Sequence, residues 1–352
     1  MIGQSCSHDV KPTDGKVADG PLMIADSVDA TNDFYDNADT YALEANAIEV
    51  LGEIKNPGAV DFSTLPLRSV IVKETLFSKY GNLFSGAFRY DGYSLHDILN
   101  ERVLNKKNQE VFKPIVDLYI EIENDKGEKV VISWGEIYYA NHPHDIMIAT
   151  QVTRVIPSKS KMLWELPLEY KVIVPSDILT ERNISNPTKI TVKSYDIDRL
   201  VEKGKTPLFS PTIDLYIEDK KIETIAENPA SIPEQSVHTI FYGRGRGLHS
   251  TDPFTGMSLK KYFNEKVEKS KKALREGLFV FTADDGYRGV FSYSEICNRN
   301  DQMDVLLICR PDLKDGGVFR LYTGTDFFSD RAIKGLNAIC YSTNQRSYTN
   351  AK

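Results

Sequence analysis

A glycine- and arginine-rich stretch in the second half of the chain has the residue types best suited to binding an anion. It reads FYGRGRGLHSTD, from Phe241 to Asp252. Glycines let successive backbone N–H groups face one point, and guanidinium groups donate in the fork geometry that carboxylates and phosphates accept. The alternative is an ordinary glycine-rich loop with solvated arginines. The candidate ligand-binding residues are Gly243, Arg244, Gly245, Arg246 and Gly247, flanked by His238 and His249.

Known nucleotide-binding motifs do not account for this stretch. No Lys-Ser or Lys-Thr pair follows the glycines, so it is not a Walker loop. The segment LHSTDP stands where the dinucleotide fingerprint would need the start of a helix. The sequence therefore indicates an anionic ligand or a partner, without naming a nucleotide.

The other residues that could bind a metal or catalyse a reaction form no complete metal-ligand or catalytic set. His142 and His144 in NHPHD are spaced so that both could face one metal ion, but only two candidate ligands are local and the proline between them favours a surface turn. We therefore predict no metal site. No Ser-His-Asp or Cys-His set can be assembled from spacing, so catalytic residues stay unknown and the chain is not assigned as an enzyme.

Two repeated polar patterns are better explained by structure than by catalysis. In SWGEI and SYSEI a serine precedes a glutamate by three residues, which is the capping-box spacing at a helix start. We predict that Glu136 and Glu295 are helix caps. Asp177 with Arg182, and Asp326 with Arg331, are predicted to form repeated structural ion pairs.

Composition excludes some classes of partner. The 352 residues carry a net charge of −7, whereas nucleic-acid binders usually show a basic patch. We therefore predict that the protein does not bind nucleic acid. Apolar residues make up 41% of the chain and charged residues 26%, which is typical of a globular protein. Its sequence has no apolar run of membrane-spanning length.

The beginning of the chain is rich in aspartate and poor in large apolar residues, which predicts a flexible acidic leader over 1–45. The residues around Cys6 resemble the end of a bacterial lipoprotein signal, although the charged and apolar regions of such a signal are missing. Cys6 is therefore a candidate for lipidation, with an exported, periplasmic or cell-surface protein as the consequence. If Cys6 is an ordinary thiol, the location is the cytoplasm.

The remaining cysteines lie in strand-like apolar segments. Cys297, Cys309 and Cys340 are predicted to be buried thiols. A disulfide between Cys309 and Cys340 stays open, because sequence alone cannot show it.

The chain contains two diverged copies of one unit. YDGYSLHDIL and FTGMSLKKYF align on Gly92 and Gly256, and the blocks that follow them keep the same order in both halves. A repeat of this length indicates duplicated domains rather than a solenoid. We predict a first domain over 46–195, a linker over 196–212, a second domain over 213–345 and a tail over 346–352. A ligand cleft between the copies is expected, since pockets often lie at domain junctions.

Strand-like runs predominate in each copy, and the short helices begin after serines such as Ser94 and Ser258. The predicted fold class is α+β, β-rich, with mixed sheets and short helices.

The order of these elements resembles the molybdopterin-binding domain of the sulfite oxidase family. IEVLGEIKNPGAVDFSTLP, the aromatic–x–Gly helix block, SWGEI, DIMIATQ and VIVPSD carry the resemblance over 48–192, and the second copy shows it more faintly over about 213–343. It implies a sulfite-oxidase-like fold, with the glycine-arginine segment near the pterin pocket. VLGEIKNPGAV also resembles the start of the β-grasp ligand-binding domains of polysaccharide export proteins, which are much shorter.

The family binds molybdenum through one cysteine, and neither copy has a cysteine in the corresponding region. We therefore expect a non-redox binding protein that takes an anionic ligand or a partner, and no cofactor is assigned. One alternative is a molybdopterin-dependent oxidoreductase with an atypical ligand set. Another is a structural or interaction module of a cell-surface assembly.

Overall fold

Strands, rather than helices, build this chain. The computed structural model describes residues 38–44, 46–157, 159–195, 204–313 and 316–344. It has 43% strand and 12% helix, and its small sheets are arranged as a four-bladed β-propeller. The expected α+β, sulfite-oxidase-like fold is therefore wrong.

The first half contributes two five-stranded sheets. Its strands are β1 (Thr40–Ala42), β2 (Glu49–Gly52), β3 (Gly58–Ala59), β4 (Arg68–Leu76), β5 (Leu83–Ser94), β6 (Leu118–Asn124), β7 (Lys129–Ser133), β8 (Met147–Arg154), β9 (Lys171–Ile173) and β10 (Pro187–Ser194). One sheet has the order β1-β8-β5-β4, with β9 also paired to β8, and the other has the order β3-β2-β10-β6-β7. Because β1 pairs with β8, the first sheet includes residues that the sequence assigned to the leader.

The second half contributes a five-stranded sheet, a four-stranded sheet and a two-stranded ribbon. Its strands are β11 (Ile213–Ile217), β12 (Lys220–Ile225), β13 (Glu234–Val237), β14 (Phe241–Gly243), β15 (Gly247–Ser250), β16 (Phe254–Ser258), β17 (Leu278–Ala283), β18 (Arg288–Ser292), β19 (Val305–Cys309), β20 (Phe319–Thr323) and β21 (Leu336–Ser342). The sheets have the orders β12-β11-β21-β17-β18 and β13-β16-β19-β20, and the ribbon is β14-β15.

The sheets of the two halves correspond strand by strand. In each half the five-stranded sheet with two parallel neighbours (β2 and β10, or β11 and β21) continues through an antiparallel pair (β6 and β7, or β17 and β18). The sheet order β4-β5-β8-β9 likewise corresponds to β13-β16-β19-β20. Each half thus supplies two blades of similar topology.

The helices are too short to cover a sheet, which is the physical reason that the α+β expectation was wrong. They are α1 (Leu95–Asn100), α2 (Trp134–Tyr138), α3 (Leu259–Lys266), α4 (Lys271–Glu276) and α5 (Tyr293–Cys297), with 3₁₀ turns at Phe62–Thr64 and Ser329–Arg331. Every residue of β17 and β18 is buried. The sheet faces are thus buried mainly by other sheets and loops, as in a propeller.

The serine-initiated helices were correctly placed, but the second is interrupted. Ser94 and Ser258 accept a hydrogen bond from the backbone N–H three residues later, as helix N-caps do. α3 ends at Lys266, and Ser270 caps the separate helix α4. Within the described residues, the longest helix is the eight-residue α3, and no helix has the length and apolar character to span a membrane.

Two main cores lie one in each half, and a smaller cluster joins them. That cluster packs Tyr119 and Val131 of the first half against Leu278, Val280 and Val290 of the second. Nearby, the backbone N–H of Val290 donates to the carbonyl of Val116, at 2.9 Å. The halves therefore share a buried apolar contact.

The cysteine predictions have different outcomes. Cys297 is a buried thiol, as predicted, whereas Cys309 and Cys340 are each partly exposed. Cys309 and Cys340 are not bridged to each other. Cys6 lies outside the described residues.

Candidate functional site

The glycine-arginine stretch forms a hairpin. β14 and β15 pair with Tyr242 opposite Leu248 and Gly243 opposite Gly247, so Arg244, Gly245 and Arg246 make the turn. The ring of Phe241 anchors the hairpin on the sheet below it, 5.2 Å from the ring of Phe254. The predicted ligand-binding arginines thus lie at a protruding tip.

The structure explains why two positions of the hairpin hold glycine. Gly247 has a φ of +76°, which favours glycine and closes the turn. A Cβ on Gly243 would lie 2.4 Å from Nε2 of His249, so only glycine lets the imidazole approach this closely. Gly245 has open space around its Cα. His249 therefore belongs to the hairpin, whereas His238 is an exposed residue preceding it.

A band of exposed apolar side chains runs along the outer face of this hairpin. We call it the hairpin patch, and it consists of Ile240, Tyr242, Leu248 and Phe327, which are 74%, 39%, 60% and 54% exposed. The rings of Tyr242 and Phe327 are 5.8 Å apart. Contiguous exposed apolar surface rimmed by charge is typical of an interaction site.

Electrostatic contacts fix one side of the tip. Nη2 of Arg244 lies 3.2 Å from a carboxylate oxygen of Asp330, although 60% of the arginine side chain stays exposed. Arg246 is exposed at the same tip. The two arginines thus give a local positive charge at one end of the hairpin patch.

Beneath the hairpin, each half buries one arginine between two carboxylates, and the two sets face each other. Arg182 makes a bidentate pair with Asp177, at 2.9 and 2.7 Å, and Arg331 does the same with Asp326, at 2.7 and 2.6 Å. The predicted structural ion pairs are confirmed. We call the following residues the central ion network: Glu136, Asp177, Arg182, Glu295, Asp326 and Arg331.

Serines join the two halves of the central ion network. Arg182 donates to Oγ of Ser292 at 3.1 Å, and Arg331 donates to Oγ of Ser133 at 3.1 Å. Ser133 in turn donates to Glu295 at 2.7 Å. Each half therefore supplies a hydrogen-bond partner to the arginine of the other half.

The two glutamates are the capping residues that the sequence predicts. Both capping boxes are complete, with Ser133 and Glu136 at α2 and with Ser292 and Glu295 at α5. In addition, Glu136 accepts a hydrogen bond from Arg182 at 2.8 Å, and Glu295 accepts one from Arg331. The spacing of serine and glutamate in the sequence predicted the helix cap, but it did not indicate the contact of each glutamate with an arginine.

The pKa values of these two glutamates move in opposite directions. Burial acts to raise the pKa of Glu136, but the charge of Arg182 and its hydrogen bonds outweigh burial and lower it. Burial raises the pKa of Glu295 to about 7, with Arg331 opposing the rise and the nearby charge of Glu136 adding to it. The central ion network has more carboxylates than guanidinium groups, and the negative charges of Glu136 and Asp326 add to the effect of burial on Glu295.

A cleft of about 340 Å³ opens above this network, between the halves. The first half lines it with residues such as Asn141 and His142, and the second half with Arg299, Asn300 and Met303. The expected cleft at the junction of the copies is therefore present. His142 lines this cleft and is separated from His144 by Pro143.

His144 instead lies beside two residues of α1. Nδ1 of His144 is 3.4 Å from Oδ2 of Asp97, and Nδ1 of His96 is 3.7 Å from Oδ1 of the same carboxylate. Spacing along the sequence does not reveal this group, because His96 and His144 are far apart in the chain. His96, in SLHDIL, would have indicated this group only to a reader who already knew that the turn containing His144 lies beside α1.

No protein-family model matches the chain, and no curated protein matches it. Neither comparison supports a molybdopterin or oxidoreductase-like protein, or a lipoprotein. The molybdopterin and oxidoreductase-like interpretation is corrected, because the sheets form a propeller instead. The lipidation of Cys6 gains no support from them.

Proposed function

We propose that this protein is a non-redox binding protein, and that its hairpin patch and arginine tip bind an acidic segment of a protein partner. The observation that carries the proposal is the exposure of Tyr242, Leu248 and Phe327 beside the two arginines. Aromatic residues and arginine are the residue types most enriched at interface hot spots.

The shape of the hairpin favours a macromolecule over a small ion. A small ion is usually bound in a concave site that surrounds it. Here the arginines stand at a protruding turn, and the apolar side chains extend along the strands behind them. A partner segment could contact the tip and the hairpin patch together, so that apolar burial adds to the charge attraction.

The charge of the tip favours an acidic segment. The chain carries a net charge of −7, so Arg244 and Arg246 form a local exception on an acidic molecule. Arginine donates two hydrogen bonds to a carboxylate in a bidentate geometry, and an exposed pair of opposite charges contributes mainly to the rate and specificity of association.

The first experiment places a photoreactive benzoylphenylalanine at position 248 in cells and identifies the crosslinked protein by mass spectrometry. The matched control carries the same group at position 80, because Tyr80 is fully exposed in the first half. We expect a specific crosslink from position 248 and none from position 80.

The affinity of that partner for the purified chain then decides the mechanism. Leu248→Glu and Arg246→Ala should each weaken it, and Arg246→Ala should also reduce its salt dependence. If crosslinks from the two positions are the same, or if neither substitution changes the affinity, the proposal fails. If inorganic phosphate binds and is lost with Arg244→Ala/Arg246→Ala while no partner crosslinks, the site binds a small anion instead.

A second candidate is a small polar ligand in the cleft between the halves. It is favoured by the pKa of Glu295, because a carboxyl group perturbed by burial beside a cleft is typical of functional sites. Native mass spectrometry of the chain tests it by revealing a retained small molecule. Met303→Trp should displace that molecule by filling the cleft, and the absence of any retained mass would count against this candidate.

A further inference from the structure

We infer that His96, Asp97 and His144 form a binding site for one divalent transition-metal ion of the zinc class. The inference is independent of the proposed partner binding, because its three residues lie in the first half and the hairpin lies in the second. It assigns a role to histidines that the hairpin and the central ion network do not use.

The geometry of the three side chains fits a single ion. One ligand atom from each of the three residues lies within 4.8 Å of the others. Ligand atoms around a tetrahedral zinc ion lie roughly 3.4 Å apart, since each is about 2.1 Å from the metal. Nδ1 of His144 lies 3.4 Å from Oδ2 of Asp97 and Nδ1 of His96 lies 3.7 Å from Oδ1, so the two imidazoles approach the carboxylate group from its two oxygens. Small side-chain rotations would bring the two imidazoles to the ion.

Rigid elements hold the three residues in place. His96 and Asp97 lie in the first turn of α1, which Ser94 caps, and His144 lies in the turn before β8. The ring of His96 contacts that of His144 edge-on, with centroids 4.7 Å apart, and packs 5.0 Å from the ring of Tyr138. The side chains are 22%, 14% and 35% exposed for His96, Asp97 and His144, so the ion would keep access to solvent.

The donor set selects the class of metal. Two imidazole nitrogens and one carboxylate oxygen suit zinc, iron, cobalt or nickel, whereas calcium and magnesium prefer oxygen ligands alone. Three protein ligands leave one position for water, as in open zinc sites.

The polar neighbours of Asp97 restrain it without occupying both of its oxygens. Ser94 donates to Oδ2 at 2.8 Å, and Nε of Arg68 donates to the same oxygen at 3.1 Å. Oδ1 is the oxygen that faces His96. Arg68 also places a positive charge beside the ion, so its removal should strengthen metal binding.

The second half provides an internal control for a purely structural role. There Ser258 caps α3 as Ser94 caps α1, but the corresponding positions hold Lys260, Lys261 and Met303. Lys260 bonds to Gln302 at 3.0 Å. The blade and its helix therefore form without counterparts of the three ligand residues, and Asp304 is the carboxylate that accepts from Ser258 there.

The experiment is a calorimetric titration of the full chain with ZnCl₂ after treatment with a chelator, together with CoCl₂ titration followed by visible absorption. We expect one ion per chain, cobalt bands typical of nitrogen ligands and a raised unfolding temperature with zinc. His96→Ala and His144→Ala should each lower the affinity for zinc by roughly 10- to 100-fold or more. Loss of a residue that only hydrogen-bonds to a metal ligand already has an effect of that size. His238→Ala is the matched control and should change nothing, and Arg68→Ala should tighten binding.

Circular dichroism checks that each variant folds, and the cobalt spectrum of the unaltered chain keeps the inference testable if a variant does not. Absence of 1:1 zinc binding would overturn it. So would zinc binding that survives His96→Ala/His144→Ala, or magnesium binding as strong as that of zinc.

Discussion

The two central glutamates occupy corresponding positions and yet have different proton affinities. Glu136 accepts two hydrogen bonds from Arg182. Glu295 accepts one from Arg331 and one from Ser133, which is neutral. Glu295 therefore has less compensation from its arginine than Glu136 has. Burial is the main cause of the raised pKa of Glu295, about 7, and the charges of Glu136 and Asp326 add to it while Arg331 opposes it.

Replacing Glu295 should change how stability depends on pH. Its folded pKa of about 7 exceeds the ordinary 4.5, so the stability it contributes is present below pH 4.5 and is lost as the pH rises to 7. The change in the pKa of Glu295 from 4.5 to about 7 corresponds to about 3 kcal/mol in the free energy of unfolding. We expect urea unfolding of Glu295→Gln between pH 4.5 and 8 to show a smaller decline than that of the unaltered chain.

Glu136→Gln is the matched control for this prediction. The pKa of Glu136 is lowered, so the stability it contributes is present above pH 4.5 and is lost as the pH falls. The substitution should therefore reduce acid sensitivity and leave the decline toward pH 7 in place. Parallel stability profiles for Glu295→Gln and the unaltered chain would contradict the assignment.

At the scale of secondary-structure elements, α2 and α5 are short helices whose caps also bind across the molecule. A helix of five residues has little stability of its own. Ser133 satisfies the start of α2, accepts a hydrogen bond from Arg331 and donates to Glu295. Helix formation and the contact between the halves therefore depend on the same side chain.

Ser133→Ala should consequently destabilise the protein more than the loss of an ordinary cap. Loss of a serine cap typically costs about 1 kcal/mol, and a buried group left without its hydrogen-bond partner adds roughly 1–3 kcal/mol. Ser270→Ala at α4 is the control, because Ser270 makes the capping hydrogen bond at the half-buried start of that helix. Equal losses in urea unfolding for the two variants would show that the cross-half bonds of Ser133 contribute nothing.

At the scale of the whole molecule, buried contacts make the two halves mutually dependent. Asp117 of the first half pairs with Arg288 of the second at 3.0 Å, in addition to Lys106 of its own half at 2.9 Å. The carboxamide of Asn298 bonds to the backbone of Leu179 in both directions, at 2.8 and 3.0 Å. Neither half could lose its structure without exposing groups of the other.

We therefore expect one cooperative unfolding transition, and Arg331→Met should lower it as a whole. The substitution leaves Asp326 and Glu295 buried without their cation, which typically costs 3–5 kcal/mol. Calorimetry and hydrogen exchange should show that both halves lose protection together. Two separate transitions would contradict this dependence.

Arg310→Met serves as the control for that measurement. Arg310 pairs with Asp312 on the surface, where both side chains are more than half exposed. Exposed ion pairs contribute little, so its unfolding temperature should match that of the unaltered chain.

The sequence by itself determined the local features of this protein. The serine caps, both capping boxes and the pairs of Asp177 with Arg182 and of Asp326 with Arg331 follow from residue types at short spacing, where local geometry decides the contact. Only the tertiary structure decided the rest. It closed the sheets into a propeller where the order of elements suggested another fold, turned the glycine-arginine stretch into a hairpin, and brought His96 to His144. The physical reason is that the sequence of a strand does not specify which other sheet packs against it, because burial depends on contacts between segments that are distant in the chain.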